Sequence, residues 1–210
     1  MKKTLSVICL VVVTLQLHAK IFVAVEGGMG EVGLKKQGRD FIVPYLGIQG
    51  GVSYKLLVAG VGIRNWRTDF GEEMKTAAGT HQYMRFVNSF VKNTSIPFFV
   101  GINLPLDERL CLQGRGVFAP TFIRGNNVTA YGISDYSATI TRKEYNAAGF
   151  EIAAEYKFNR HTAAMLKFVH LEYLENLQYR AANIDAAIFY NSLASKPIFN
   201  GAAFQFNYYF

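Results

Sequence analysis

The last seven residues, Phe204-Gln205-Phe206-Asn207-Tyr208-Tyr209-Phe210, place Phe204, Phe206, Tyr208 and Phe210 on one side of an extended chain. Gln205 and Asn207 fall on the other side. Side chains alternate across a strand, so this period of two describes a strand with two unlike faces and leaves no room for a helix. The same period recurs after residue 20, where few segments carry a period of 3.6. It predicts eight strands, near 20–28, 41–50, 53–65, 94–104, 109–122, 146–158, 161–174 and 198–210. Most reach the ~9–11 residues that a tilted membrane-crossing strand needs.

The connections are as informative as the strands. Three are expected to be tight, at Gly51-Val52, Pro105-Leu106-Asp107-Glu108 and Asn159-Arg160. Four are expected to be long, over 29–40, 66–93, 123–145 and 175–197. Long and short alternate strictly, as in transmembrane barrels with short periplasmic turns and longer outer loops. An even strand count brings both ends of the barrel to one side. Tyr83–Val91 also alternates and fits either an extension of the fourth strand or a short helix over the barrel mouth.

Lys2 and Lys3 precede an apolar run, Leu5 to Leu15, that closes on Gln16-Leu17-His18-Ala19. A positive start, a short apolar core and a small residue at its end describe a secretory signal peptide over 1–19, with a single domain over 20–210. The run is shorter than the ~20 residues of a spanning helix. Composition closes other routes. Aromatics at 14% with only 18% charged residues exclude disorder. Two cysteines, Cys9 and Cys111, exclude a disulfide framework, and a single apolar run excludes a helical membrane bundle.

Alternation alone does not say which face is inside. A soluble barrel would turn its apolar face inward, where eight strands leave room only for side-chain packing or one small ligand. The sequence favours an apolar exterior. The chain's final strand ends on an aromatic with no polar tail, and Glu151 and Glu155 alternate with Phe150, Ile152, Tyr156 and Phe158. A lipocalin would place Gly-x-Trp in its first strand, whereas the only tryptophan is Trp66.

On its signal peptide, its alternating aromatic end and its loop rhythm, the chain resembles the small outer-membrane β-barrels, the OmpA transmembrane domain and porin-family barrels of similar size. The resemblance spans 20–210. It implies an all-β, eight-stranded antiparallel up-and-down transmembrane barrel in a Gram-negative outer membrane. It also implies that Phe204, Phe206, Tyr208 and Phe210 are the signal read by the barrel-assembly machinery. Gly201 lies further back than the glycine found in some versions of that signal. Wall anchoring of the OmpA kind is not implied, since no peptidoglycan-binding domain is expected after the barrel.

With apolar faces toward lipid, Glu26, Gln113, Arg115, Glu151, Glu155 and Lys167 point into the lumen. Pairing about Asn159-Arg160 sets Lys167 level with 151–153, so Glu151 and Glu155 are expected to bracket its ammonium. Charges confined there need partners, which favours a structural plug over an ion path. His170 and Glu172 near the outer rim suggest a general base. Outer-membrane lipid A deacylases, however, place a serine where Glu172 stands. The glycines of Gly27-Gly28-Met29-Gly30-Glu31-Val32-Gly33 lack the Lys-Ser/Thr of a phosphate loop and are expected to bend the first strand into a loop.

No Cys/His cluster has metal spacing, and no cofactor or nucleic acid is expected. The net charge of +7 comes with scattered loop cations such as Lys35, Lys36, Arg142 and Lys143, for which lipopolysaccharide phosphates are the expected partner. The expected function is structural or surface-interacting, as a monomer and not an enzyme. A narrow pore and a rim lipid A hydrolase are the alternatives.

Overall fold

The computed structural model describes residues 19–34, 39–69, 74–76, 83–86, 90–131, 136–140, 144–176, 179–181 and 196–210. Eight staves form the wall: β1 (Lys20–Leu34), β2 (Arg39–Tyr54), β3 (Leu57–Asp69), β4 (Phe90–Ser95 and Phe98–Pro105), β5 (Leu110–Tyr131), β6 (Glu144–Lys157), β7 (Thr162–Tyr173) and β8 (Pro197–Tyr209). Each stave pairs antiparallel with the next, and β8 pairs back onto β1, so the sheet has no edge in the wall. Closure satisfies the backbone polar groups within the wall itself, as a lipid surround requires.

The faces divide as the alternation predicts. Val23, Val25, Ile48, Val100, Ile152, Leu166 and Phe204 are exposed on the outside, while Gln49, Arg64, Glu151, Lys167 and Gln205 are buried inside. An apolar exterior wrapped around a lumen that holds all the buried charges among the described residues is the reverse of a soluble barrel. In water this continuous apolar belt would far exceed the patches that monomeric soluble proteins expose.

Three tight turns and both ends of the described wall lie at one end of the barrel. The first turn is Lys55-Leu56, between the paired Tyr54 and Leu57, and not Gly51-Val52. Lys55 takes up the reversal with φ of 50°. Gly51 is needed for space. A Cβ there would lie 2.9 Å from the Phe22 ring and 2.3 Å from Ala59 O. The second turn is capped by Asp107, whose carboxylate accepts from the amides of Arg109 (2.6 Å) and Leu110 (2.7 Å). The third runs through Asn159, which accepts from the amides of His161 (2.8 Å) and Thr162 (2.9 Å).

At the other end the strands outrun the sequence expectation. Both β1 and β2 continue through most of 29–40, so the glycines of 27–33 lie within a strand and do not start a loop. Gly30 faces the lumen, where a Cβ would sit 2.4 Å from the Phe199 ring. β5 runs for 22 residues, well beyond 122. Its far end pairs with Tyr83–Phe86 and Tyr136–Ile140, so the alternation of 83–86 reflects a strand and not a helix. β4 is interrupted at Ile96-Pro97, because proline has no amide to donate. The neighbours compensate: Pro97 O accepts from Gly62 N (2.9 Å), and Ile96 N donates to Pro120 O (2.8 Å). The signal-peptide reading of 1–19 and the loop cations Lys35, Lys36, Arg142 and Lys143 lie outside the described residues, Ala19 apart.

Candidate functional site

The lumen has two storeys. Toward the long connections it is filled by Val43, Tyr45, Trp66, Tyr145, Leu171, Tyr173 and Phe199, all buried. Tyr45 meets the Phe199 ring edge-on at 5.4 Å, and Trp66 packs against it at 5.3 Å. This aromatic layer packs the lumen toward that side. It rests on the small residues Gly28, Gly30 and Gly201, since a Cβ at any of them would crowd Tyr45 or Phe199.

Beneath it lies the charged storey. The buried charged residues among those described are Glu26, Glu151 and Glu155, and Arg64, Arg115 and Lys167. Three acids and three bases balance over the buried lumen as a whole. Arg64 is its hub. Its Nε donates to Glu26 Oε1 at 2.5 Å, and its Nη2 donates to Glu151 Oε1. Lys167 donates to Glu26 Oε2 and to Gln205 Oε1 (2.9 Å), with Glu151 Oε2 3.7 Å away. Arg115 reaches Glu151 Oε2 (3.5 Å), Gln113 Oε1 (2.6 Å) and Gln49 Oε1 (3.2 Å), while its guanidinium lies over the Phe99 ring at 4.5 Å. Gln49 in turn donates to Glu26 Oε2 (2.7 Å).

Backbone register explains the convergence. Glu26 pairs with Gly47 and Gln205, and Gly47 pairs with Arg64. A Cβ on Gly47 would come within 2.6 Å of Glu26 Oε1, so the missing side chain is what lets the carboxylate lie flat against β2. Glu151 pairs with Arg115, and Lys167 pairs with Ala153.

The structure brings Glu26, Arg115, Glu151 and Lys167 into one cluster and sets Glu155 apart from it. Lys167 is level with 151–153 as expected, but Glu155 does not share its ammonium. The carboxylate of Glu155 sits nearer the turns, where Tyr209 OH (2.5 Å), Asn207 Nδ2 (2.8 Å) and Gln113 Nε2 (3.4 Å) take it with neutral donors. Lys167 is drawn instead to Glu26, two staves away across β8. Sequence reasoning did not single out Arg64, Gln49, Gln205, Asn207 or Tyr209. The alternation of Val58, Arg64 and Trp66 on one face of β3 was the available signal.

His170 lies on the outer face of β7. Its ring lies tilted against that of Phe150 (5.0 Å between centroids), Nδ1 faces Asn200 Oδ1 (2.7 Å) and Nε2 faces Glu172 (3.8 Å). No hydroxyl among the described residues is hydrogen-bonded to it. Phe204, Phe206, Tyr208 and Phe210 form an exposed row on the outside of the last stave and its end.

No protein-family model matches the chain. No curated protein matches it in sequence. Solved structures do match its fold. Neisserial surface protein A superposes with a TM-score of 0.62 at 8% identity, over 91% of this chain and 99% of that one. Ail, the attachment invasion locus protein of Yersinia pestis, solved with the heparin analogue sucrose octasulfate, gives 0.50 at 7% identity, over 92% and 99%. A closed wall of eight antiparallel staves, apolar outside and charged within, matched along nearly the whole length of these structures, gives this chain the fold of the small outer-membrane β-barrels.

Proposed function

We propose that the protein is an integral outer-membrane barrel with a structural or surface-interaction role, whose lumen serves as a strut and not as a passage. One observation carries this reading: Glu26, Arg64, Glu151 and Lys167 cross-link four different staves through the centre of the barrel. Each of these four groups is ion-paired with a neighbour below the aromatic storey, which favours a strut over a lined path for ions, and Arg64 Nη1 is the buried nitrogen among them that has no hydrogen-bond partner. In planar bilayers the reconstituted chain is expected to give no unitary current steps. Discrete, ion-selective steps that survive repurification would support the narrow-pore reading instead. The outer position of His170, held by Asn200 and without a hydroxyl partner, supports a non-catalytic role over a rim hydrolase. Unaltered lipid A masses in cells expressing the protein are the expected result.

The outer apolar belt suits bilayer lipid, and the basic connections suit lipopolysaccharide phosphates, with the barrel acting as a monomer. The row of Phe204, Phe206, Tyr208 and Phe210 is the element we assign to the barrel-assembly machinery. Deleting Phe210 is expected to lower the amount of heat-modifiable barrel in the membrane. Wild-type levels would remove that assignment.

A further inference from the structure

Between β8 and β4 the apolar belt on the outside of the wall is dented by a groove of about 670 Å3. It follows one rung, in which Phe206 pairs with Val25, Val25 with Ile48 and Ile48 with Ile63, and it reaches Ile96 on β4. Gly50, between Val23 and Val61 on the next rung, leaves bare backbone in the floor. A Cβ at Gly50 would meet nothing closer than Phe22 O at 3.6 Å, so the space beside it is open. The volume is within the range of ligand sites.

Above the groove the outward positions change chemistry in a fixed order. On β3 they run Ile63, Asn65, Arg67, and on β4 they run Ile96, Thr94, Lys92. The two series stand level. Asn65 pairs with Thr94 and Arg67 with Lys92, and Thr94 Oγ1 donates to Asn65 Oδ1 at 2.7 Å. An apolar floor, a hydroxyl–amide pair and a pair of cations thus follow one another over roughly 13 Å of strand, at about 3.3 Å per residue. Both cations also interact within the protein, so a bound anion would share them. The far side of the barrel carries the opposite charge. There His170, Asn200 and Glu31 share a rung, and Glu172 is the next outward position on β7.

This order is that of an acylated, phosphorylated lipid: chains for the groove, carbonyl and hydroxyl groups for Asn65 and Thr94, and phosphate for Arg67 and Lys92. Arginine and lysine on adjacent staves suit a phosphate, the first by its fork of donors and the second as a point charge. A zwitterionic headgroup would gain little from choosing this side over the side of Glu31 and Glu172. Arg67 and Lys92 lie toward the long connections, the outward end of such barrels. In the outer leaflet the lipid with this chemistry is lipid A. We propose that the groove and the Arg67–Lys92 pair form one binding site for the lipid A of lipopolysaccharide. The proposal deepens the surface-interaction reading and rests on the barrel standing in an outer membrane with its long connections outward.

Native mass spectrometry of the full chain in detergent, titrated with bis-phosphorylated lipid A, its phosphate-free form or phosphatidylglycerol, tests it. Lipid A is expected to bind one per chain and roughly tenfold more tightly than either of the others. Arg67→Gln together with Lys92→Gln should weaken lipid A by roughly tenfold and bring it to the level of the phosphate-free form. Gly50→Leu should fill the groove and weaken both forms alike, since the phosphate contacts remain. Glu31→Gln together with Glu172→Gln, on the far side, should weaken neither. All five positions face outward, and the gel shift on boiling reports whether each variant is folded. Unchanged lipid A affinity in the Arg67 and Lys92 variant, or in Gly50→Leu, overturns the proposal. Equal binding of phosphatidylglycerol does so too, as does a dimer that Gly50→Leu dissolves, which would give the groove to a second copy. Absence of the gel shift in the wild-type chain would instead remove the barrel reading on which the proposal rests.

Discussion

The two storeys of the lumen fill the same cylinder with opposite chemistry, and they should fail differently. In the aromatic storey, Trp66 and Phe199 gain chiefly from contact area, so each lost ring leaves a cavity and the losses accumulate, while Tyr45 also lies under the Arg64 guanidinium at 6.0 Å. In the charged storey, Glu26, Arg64, Glu151 and Lys167 have already lost their hydration, and each carboxylate is tolerable only while its cation remains. Removing one member of such a network is worse than removing all of it. Shape is the limiting quantity above, and charge balance is the limiting quantity below.

The largest expected effect tests that contrast at the hub. Arg64→Met leaves Glu26 and Glu151 each short of a cation and should destabilise the barrel near the upper end of about 3–5 kcal/mol. Adding Glu26→Gln restores the balance, with Glu151 still beside Arg115 and Lys167, and should recover a large part of that loss, as measured by urea unfolding from lipid. A double variant less stable than Arg64→Met alone would remove the distinction between the storeys.

The aromatic storey should show no such recovery. Phe199→Ala is expected to cost about 3 kcal/mol, and Phe199→Ala with Trp66→Ala should cost more than either change. Rescue of one by the other would mean that these rings are strained against each other.

A smaller effect sharpens the wiring inside the charged storey. Lys167 should couple to Glu26 by about 1–3 kcal/mol in a double-mutant cycle, and to Glu155 by a value near zero. Lys167 donates to Glu26, whereas Glu155 is held by Tyr209, Asn207 and Gln113. Equal couplings to the two carboxylates would show that Lys167 is shared between them.

The smallest effect lies outside the membrane, at the turn that Asp107 caps. The amides of Leu110 and then Arg109 hold its carboxyl below the usual carboxylate range. A depressed folded-state value contributes stability that is present above the unfolded value and is lost as pH falls through the folded one. Asp107→Asn should therefore reduce the pH dependence of stability in the acid range only. A variant whose acid limb matches the wild type would show that this cap does not contribute.

Much of this was legible in the sequence because a period of two survives errors in register. The β2–β3 turn lies four residues beyond Gly51-Val52, an even displacement, so every side chain on those staves keeps the face its alternation assigned. What the displacement changes is height. With a turn at Gly51-Val52, Arg64 stands near the outer end of its strand. With the turn at Lys55-Leu56, it pairs with Gly47, on the rung of Glu26. The hub was hidden for that reason. The β6–β7 turn lay close to its expected place, so the level of Lys167 was readable. Two of the three partners of Glu155, Asn207 and Tyr209, come from β8, whose register against β7 is set across a long connection that the sequence leaves free. The glycines of the first strand misled in another way, because they serve the bulk of Phe199 and Tyr45 and not a bend.

The central claim is that lipid surrounds the apolar face while the charges are sealed within. The most direct test places a single cysteine at Ile152 and, separately, at Arg160, in a Cys111→Ser background, and labels intact proteoliposomes with a water-soluble thiol reagent. Ile152 is 57% exposed on the outer face, and Arg160 lies in a turn outside the wall. The account predicts labelling at position 160 wherever the turn end faces the reagent. At position 152 it predicts labelling only after the bilayer is dissolved and the barrel unfolded. Rapid labelling at position 152 in the intact bilayer would contradict it, since that face would then be in water.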